Sequence, residues 1–310
     1  MDLLGDAQPA LARRWAGRAE LDAYCGERLG GFVLDGLWVA GALDGLRAPC
    51  VAVVGTRAPS EGGRHRARRL AHDLARAGVC VVSGLAVGID GAAHEGALAA
   101  GAPTIGVLGG GHGHFFPPRH RELGARIVAR GGAVVSPYAP DEIPRPWQFL
   151  ARNAVIAALA DAVVVVEAAA RSGALNTAGH GGDRGIPVLA MPGDVDRPKA
   201  AGCNALIRDG ATLVRDAEDV LAALPSSVAP PPPRGKRGAV DDGDPGAVSD
   251  PRIAGRVLAA LRDHASDPGT LADRLGLAPT ELFPILSELE LSGRVACGAD
   301  GYTVVRRARD

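Results

Sequence analysis

Four short runs along this 310-residue chain carry the residue types that could do chemistry. The first is Gly55-Thr56-Arg57-Ala58-Pro59-Ser60, at the end of an apolar stretch. A turn glycine, two hydroxyls and a guanidinium at a helix start can hold a pair of phosphate oxygens. The same run reads equally well as a plain βα turn in which Ser60 caps the helix. It is neither the G-x-G-x-x-G of a dinucleotide site nor a P-loop, whose glycines let backbone amides approach a pyrophosphate. The second run is Ser83-Gly84-Leu85-Ala86-Val87-Gly88-Ile89-Asp90, followed by Ala93-His94. Asp90 and His94 stand one helical turn apart, as an acid–base pair would. With no nucleophile evident nearby, a structural pair fixing the turn is the favoured reading.

The third run, Gly109-Gly110-Gly111-His112-Gly113-His114, sets two histidines at i, i+2. A metal site needs a third ligand at fixed spacing, so a glycine loop against a ligand or a neighbouring backbone is the better account. The fourth, Ser172-Gly173-Ala174-Leu175-Asn176-Thr177, opens a helix whose free amides and positive dipole end attract an anion. The two helix N-termini at Ser60 and Ser172, with Arg57 and with Arg152 from the run Phe149-Leu150-Ala151-Arg152-Asn153, predict a phosphate-lined cleft at one sheet edge.

The elements that must position these runs follow from the apolar pattern. Unbroken apolar strands are predicted at Val51–Val54, Val79–Val82, Thr104–Leu108, Ala133–Val135, Ala162–Val166 and Pro187–Ala190. Helices are predicted between them, at Gly63–Ala77, Ile89–Ala100, Arg119–Arg130, Trp147–Ala160 and Ala174–Asp183. Strands buried on both faces and alternating with helices demand a doubly wound parallel sheet. Such sheets bind ligands beyond the carboxyl ends of their strands, near a topological switch point, where these runs fall.

The domains read as 1–46, a reduced N-terminal segment with a helix at Pro9–Leu29; 47–224, the α/β domain; 225–250, a proline-rich linker; and 251–310, a small helical domain. Gly202–Ala223 reads as a helical hairpin or a small closing unit. Four prolines, Pro230 to Pro233, suit a stiff spacer rather than a packed element. In the last domain, three apolar stripes and strands flanking Gly298-Ala299-Asp300-Gly301 describe a winged helix. Its third helix turns Thr280, Glu281, Ser287, Glu288 and Glu290 outward and contains Pro284, with no lysine or arginine. Carboxylates repel phosphates, so that module is expected to bind protein or to regulate.

At 47% apolar residues the chain should mostly pack. No apolar run is long enough to span a bilayer and no signal pattern opens the chain, so a cytoplasmic location is expected. Cys25, Cys50, Cys80, Cys203 and Cys297 form no C-x-x-C clip and read as inert thiols. The net charge of −1 hides two basic clusters, one from Arg57 to Arg76 and one from Arg119 to Arg130. Local sign matters more than the sum when the partner is a polyanion.

Taken in order, the runs resemble the DNA-processing protein family DprA, also called Smf. The resemblance is carried by G-[ST]-R-x-x-S at Gly55–Ser60, S-G-L-A-x-G-I-D-x-x-A-H at Ser83–His94 and F-x-x-R-N at Phe149–Asn153. It continues through V-V-E at Val165–Glu167, S-G-A-L-x-T-A at Ser172–Ala178, P-G at Pro192-Gly193 and G-x-N-x-L-I-x-x-G-A at Gly202–Ala211. It implies a Rossmann-like doubly wound sheet followed by a small C-terminal winged helix. It also implies a protein that binds and shields incoming single-stranded DNA in natural transformation, helps load the RecA recombinase, forms homodimers, and has no cofactor and no reaction of its own. The DNA-contacting candidates are Gly55, Thr56, Arg57, Ser60, Gly84, Gly109, Arg152, Asn153, Ser172, Gly173, Thr177 and Lys199. The chain departs from the family at Ala154, where a second arginine of R-N-R is expected, and at Ser136-Pro137 and Phe116–His120. The alternative function is a nucleotide hydrolase of the phosphoribohydrolase type, whose P-G-G-x-G-T-x-x-E string is absent although Glu167 ends the corresponding strand.

Overall fold

A computed structural model describes residues 13–227, 251–261, 266–298 and 301–305. Most of the linker read at 225–250, with its four prolines, lies outside the described residues, as do 299–300 of the final turn. The chain divides into two units, 1–232 and 233–310.

The first unit runs β1 (Arg13–Gly17), α1 (Arg18–Cys25), β2 (Gly36–Gly41), β3 (Cys50–Val54), α2 (Glu61–Arg76), β4 (Cys80–Ser83), α3 (Ile89–Ala99), β5 (Thr104–Val107), α4 (Arg121–Ala129) and β6 (Ala133–Ser136). It continues with α5 (Pro146–Ala158), β7 (Ala162–Val165), α6 (Gly173–Asp183), β8 (Val188–Ala190), α7 (Ala201–Arg208), β9 (Thr212–Leu213) and α8 (Ala217–Ala223). Among the described residues, nine strands form one sheet in the order β1-β2-β6-β5-β4-β3-β7-β8-β9. All pairs from β6 to β9 are parallel. The chain steps from β3 outward to β6, then returns to β7 on the other side of β3. The order therefore reverses between β3 and β7, which makes their carboxyl ends the switch point.

Alternation along the strands divides the core between the two faces. Val51, Val53, Val81 and Val164 pack under α2, α3 and α8, where Ala67, Leu70, Ala71 and Leu74 supply the apolar stripe of α2. Ala52, Val54, Val82, Val163 and Val165 pack on the other face with Val155, Ile156 and Leu159 of the α5 segment.

The N-terminal segment differs from the sequence reading. Instead of one helix to Leu29, residues 13–17 form a strand, and α1 ends where Gly26 turns to φ +60°. β2 pairs antiparallel to β6 and β1 antiparallel to β2, extending the sheet, and Leu21, Leu29, Leu37 and Leu46 join its core. Local propensity gave way to pairing, helped by the edge-on contact of Trp15 and Trp38 at 5.5 Å between centroids. The segment is pinned by Arg28, whose guanidinium donates to Asp161 at 2.8 Å and to the carbonyls of Ala48 and Leu46. Asp161 also accepts from the Cys50 amide at 2.7 Å. Of the two readings of Gly202–Ala223, the structure has the small closing unit, because a strand, β9, lies between its helices and pairs in parallel with β8.

His94 does not pair with Asp90. Its Nδ1 lies 2.9 Å from Thr104 Oγ1, whose hydroxyl donates to the Val81 carbonyl at 2.6 Å. That hydroxyl can then only accept from the ring, so His94 is a neutral packing histidine between α3 and β5. Burial, aided by His120, pushes its pKa down to about 3.

The second unit holds α9 (Pro251–Ala260), α10 (Pro268–Leu275), α11 (Pro279–Leu291) and a hairpin of β10 (Val295–Gly298) and β11 (Gly301–Val304). Val257, Leu261, Leu271, Leu282, Ile285, Leu286 and Leu289 form its core. Asp267 caps α10 by accepting from Gly269 and Thr270 amides at 3.0 and 3.1 Å. On α11, Glu281, Ser287 and Glu290 are exposed, as is Pro284. The side chain of Thr280 is outside the described set.

Two stability measurements follow from these contacts. Replacing Arg28 by Met leaves Asp161 buried without its cation and should cost about 3–5 kcal/mol in urea unfolding; a loss below about 1 kcal/mol contradicts the pinning role. For His94 the folded pKa is depressed, so below about pH 6.5 the unfolded chain takes up a proton that the folded chain refuses. Stability should fall by about 2 kcal/mol between pH 6.5 and 5 on this account, and keep falling toward the folded pKa. A His94→Gln variant should show a shallower acid slope.

Candidate functional site

At the switch point, the loop after β3 is stitched to both neighbours. The Thr56 amide donates to the Glu167 carbonyl at 2.7 Å, and the Ile89 amide donates to the Thr56 carbonyl at 3.2 Å. Beside this loop lies a cleft of about 280 Å³. Its walls bring together Gly55, Thr56, Arg57, Arg152, Asn153, Ser172, Gly173 and Thr177, eight of the twelve candidates. A smaller hollow of about 140 Å³ adjoins it and shares Arg57, Arg152 and Phe149, adding Gly84, Phe116 and Arg119.

The two arginines have different jobs. Arg57 is exposed at the cleft mouth, its guanidinium carbon 5.6 Å from the centre of the Phe149 ring. Arg152 is only 3% exposed and donates to the carbonyls of Gly84 and Val107 at the ends of β4 and β5. Burial, with Arg57 nearby, lowers the Arg152 pKa to about 10 although Asp90 pulls the other way, so it remains a cation at neutral pH. Asp90 lines the cleft and accepts from the amides of Gly84 and Ala86 at 3.1 and 3.4 Å. Burial raises its pKa above the usual carboxylate value, against the opposing pull of Arg152.

The opposite wall is the start of α6. Ser172 caps it, accepting from the Ala174 amide at 3.3 Å. Asn153 holds it in place, donating to the Gly173 carbonyl at 3.3 Å and to Asn176 at 3.2 Å. Gly173 is exposed at this end, with open space where a Cβ would stand.

Two glycines are required by close approach. A Cβ on Gly84 would lie 2.7 Å from Asp90 and 2.8 Å from the Arg152 guanidinium. A Cβ on Gly109 would lie 2.6 Å from the Phe149 ring. Gly109 thus backs the aromatic wall and does not line the cleft. Leu85, buried after Gly84, sits at φ +56°, a left-handed conformation that costs a branched residue energy and marks the end of β4 as tightly determined.

Ser60 and Lys199 are elsewhere. The amide and hydroxyl of Ser60 bind the two carboxylate oxygens of Glu167 at 2.8 and 2.5 Å, and its Oγ accepts from Gly63 at 2.9 Å. The second helix N-terminus expected to attract a phosphate, that of α2, is therefore already satisfied by the protein's own carboxylate. Lys199 lies with Ser60 in a separate cavity. Arg64, Arg68, Arg69 and Arg76 point outward from α2, away from the cleft lining. His112 is buried with Nε2 on the Val134 carbonyl at 2.9 Å, while His114 is exposed; among the described residues no cluster could hold a metal ion. Outside the candidate set, Ala86 and Leu150 also reach the cleft, as does Asp90, read from the sequence as a structural residue, while Arg119 lines the adjoining hollow.

The chain is similar to known proteins over most of its length. Residues 35–225 match the family model of DNA recombination-mediator protein A, and residues 242–301 match the DprA winged helix domain. Protein Smf of Escherichia coli K12 is 38% identical over 274 residues, covering 88% of this chain and 72% of that protein. The DNA processing protein DprA of Streptococcus pneumoniae R6 is 42% identical over 186 residues, covering 60% and 65%. Among solved structures, DprA from S. pneumoniae aligns with a TM-score of 0.63 at 37% identity, over 68% of this chain and 74% of that one. DNA processing protein A from Helicobacter pylori, solved for its single-stranded DNA binding mode, aligns with a TM-score of 0.59 at 25% identity, over 68% and 94%. With a Rossmann-like sheet, a winged helix after it and these relatives over most of its length, the chain belongs to the DprA/Smf family of DNA-processing proteins.

Proposed function

We propose that this chain binds single-stranded DNA along the cleft at the β3–β7 switch point and carries out no reaction on it. One observation supports this most: an exposed Arg57 faces the open N-terminus of α6 across a single cleft at the carboxyl ends of the strands. A guanidinium on one side and helix-start amides on the other suit a phosphodiester, and Phe149 and Phe116 offer apolar ring surface beside it. Arg152 acts beneath the strand as a buried cation and a strut. Among the described residues no helix is long and apolar enough to cross a membrane.

The wider role rests on family membership. In this reading the chain works in the cytoplasm, shields DNA entering during natural transformation, passes it to RecA, and acts as a homodimer. Sedimentation over a concentration series reads the dimer. RecA filament growth on a strand coated with single-strand-binding protein reads the handover, which should quicken when this protein is added.

The cleft is tested by anisotropy of labelled oligo-dT across a salt series. Arg57→Ala should weaken binding about tenfold and reduce the salt slope by about one, with an unchanged melting temperature. Arg152→Met should instead lower stability by about 3 kcal/mol or more, because it strands two carbonyls and Asp90. If Arg57→Ala binds oligo-dT as the parent does, the cleft is not the DNA site. Steady release of free base from a nucleotide would overturn the non-catalytic part of the reading.

A further inference from the structure

Three of the family motifs do not line the cleft: V-V-E, P-G and G-x-N. They converge on a different place, a cavity of about 410 Å³ over the carboxyl ends of β7 and β8. Val166, Met191, Ala200 and Cys203 give it an apolar lining, and each is less than a tenth exposed. Glu167, 5% exposed, is set into the wall among them. Arg66, Arg197 and Lys199 stand where the cavity opens.

The wall is built rather than incidental. Asn204 clamps Gly193 by accepting from its amide at 3.1 Å and donating to its carbonyl at 3.0 Å. The Gly202 amide donates to the Ala168 carbonyl at 2.8 Å, and a Cβ there would lie 2.6 Å from the Ala169 carbonyl oxygen. Glycine at 202 therefore lets α7 close against the end of β7, and Asn204 fixes the loop after β8 as the cavity's rim. The charges are also arranged. Arg66 approaches Glu167 at 3.7 Å and Arg197 approaches Asp194 at 3.6 Å, while among the described residues Lys199 has no carboxylate partner.

An apolar slot of this volume, with one buried acceptor inside and cations at its mouth, has the layout of a nucleotide pocket. Apolar side chains take the faces of a base, the carboxylate takes its N–H edge, and the cations take phosphate. Each oxygen of Glu167 already accepts one bond from Ser60 and retains a second acceptor position. Guanine, with two adjacent N–H donors, matches a carboxylate better than uracil, whose single N–H lies between two carbonyls.

We propose that this cavity binds a nucleoside 5′-phosphate unit with a guanine base, held by Glu167 at the base edge and by Arg197 and Lys199 at the phosphate. The unit is either a free mononucleotide or the 5′-terminal nucleotide of a strand. The proposal does not depend on the cleft, because none of its three holding residues lines the cleft.

The test is calorimetric titration of the full chain with GMP and UMP. GMP should bind saturably and at least about tenfold more tightly than UMP. An Arg197→Ala/Lys199→Ala double variant should weaken GMP at least about tenfold with an unchanged melting temperature, since both side chains are exposed. Glu167→Gln should remove the preference for GMP over UMP; should it unfold, the rim variant still decides. Displacement of GMP by a 5′-phosphorylated oligo-dT headed by guanine assigns the strand end as the source, and no displacement assigns the free nucleotide. Absence of GMP binding, together with equal affinity of parent and rim variant for the guanine-headed strand, overturns the proposal. Failure of oligo-dT binding alone would remove the cleft reading and leave this one standing.

Discussion

A guanidinium held under the strand ends organises the top of this molecule. Arg152 comes from α5, yet its bonds are to the carbonyls of Gly84 and Val107, the residues where β4 and β5 finish. Taking a cation out of water is expensive, and it is retained here because two carbonyls and the neighbouring Asp90 compensate it. Glycine at 84 follows, since any side chain would meet the guanidinium. The left-handed turn at Leu85 follows too, because the carbonyl of Gly84 must face inward while the chain leaves toward α3. The next carbonyl, that of Leu85, is in turn bonded by His120 Nδ1 at 2.8 Å, tying the loop before α4 to the same point.

That arrangement separates support from contact. Two charged residues of the cleft, Arg152 and Asp90, are buried and bonded to backbone, while Arg57 and Gly173 are left exposed. Glu167 draws the same distinction for helix N-termini. Both α2 and α6 begin beside the switch point with a serine cap, and both have amides to satisfy. At α2 the carboxylate of Glu167 fills the anion position, so an outside phosphate would meet a negative charge there. Among the described residues, no carboxylate is bonded at the start of α6. The protein has used one helix start for its own stitching and left the other free.

Much of this was legible in the residues. Continuous Val-rich runs such as Val51–Val54 and Ala162–Val166 located the parallel strands, because a strand covered on both faces has no polar positions to show. The glycine and hydroxyl runs were located at strand ends, which is where the fold puts them. What the sequence withheld was orientation. Arg57 and Arg152 look alike on paper, and only the packing of α5 across β4 and β5 makes one a buried strut. Ser60 and Ser172 are both caps, and only the contact of Ser60 with Glu167, distant from it in sequence, distinguishes them. The N-terminal strands were hidden for a different reason. Residues 13–41 carry little period of their own, and their pairing with β6 is specified by a partner nearly a hundred residues away.

The same logic explains why a chain with formal charge −1 can present a cationic face. Its carboxylates near the switch point are not spread over the surface. Asp90 is buried against Arg152, Glu167 is buried against Ser60, and Asp161 is buried against Arg28 at the other end of β7. Each of these buried carboxylates has a guanidinium nearby, Arg152, Arg66 and Arg28 respectively, which offsets its field, whereas Arg57 is exposed. Counting charges along the chain weighs both equally. Folding does not, and the sign seen by an approaching polyanion at the cleft mouth is set by Arg57 and Arg119 rather than by the sum.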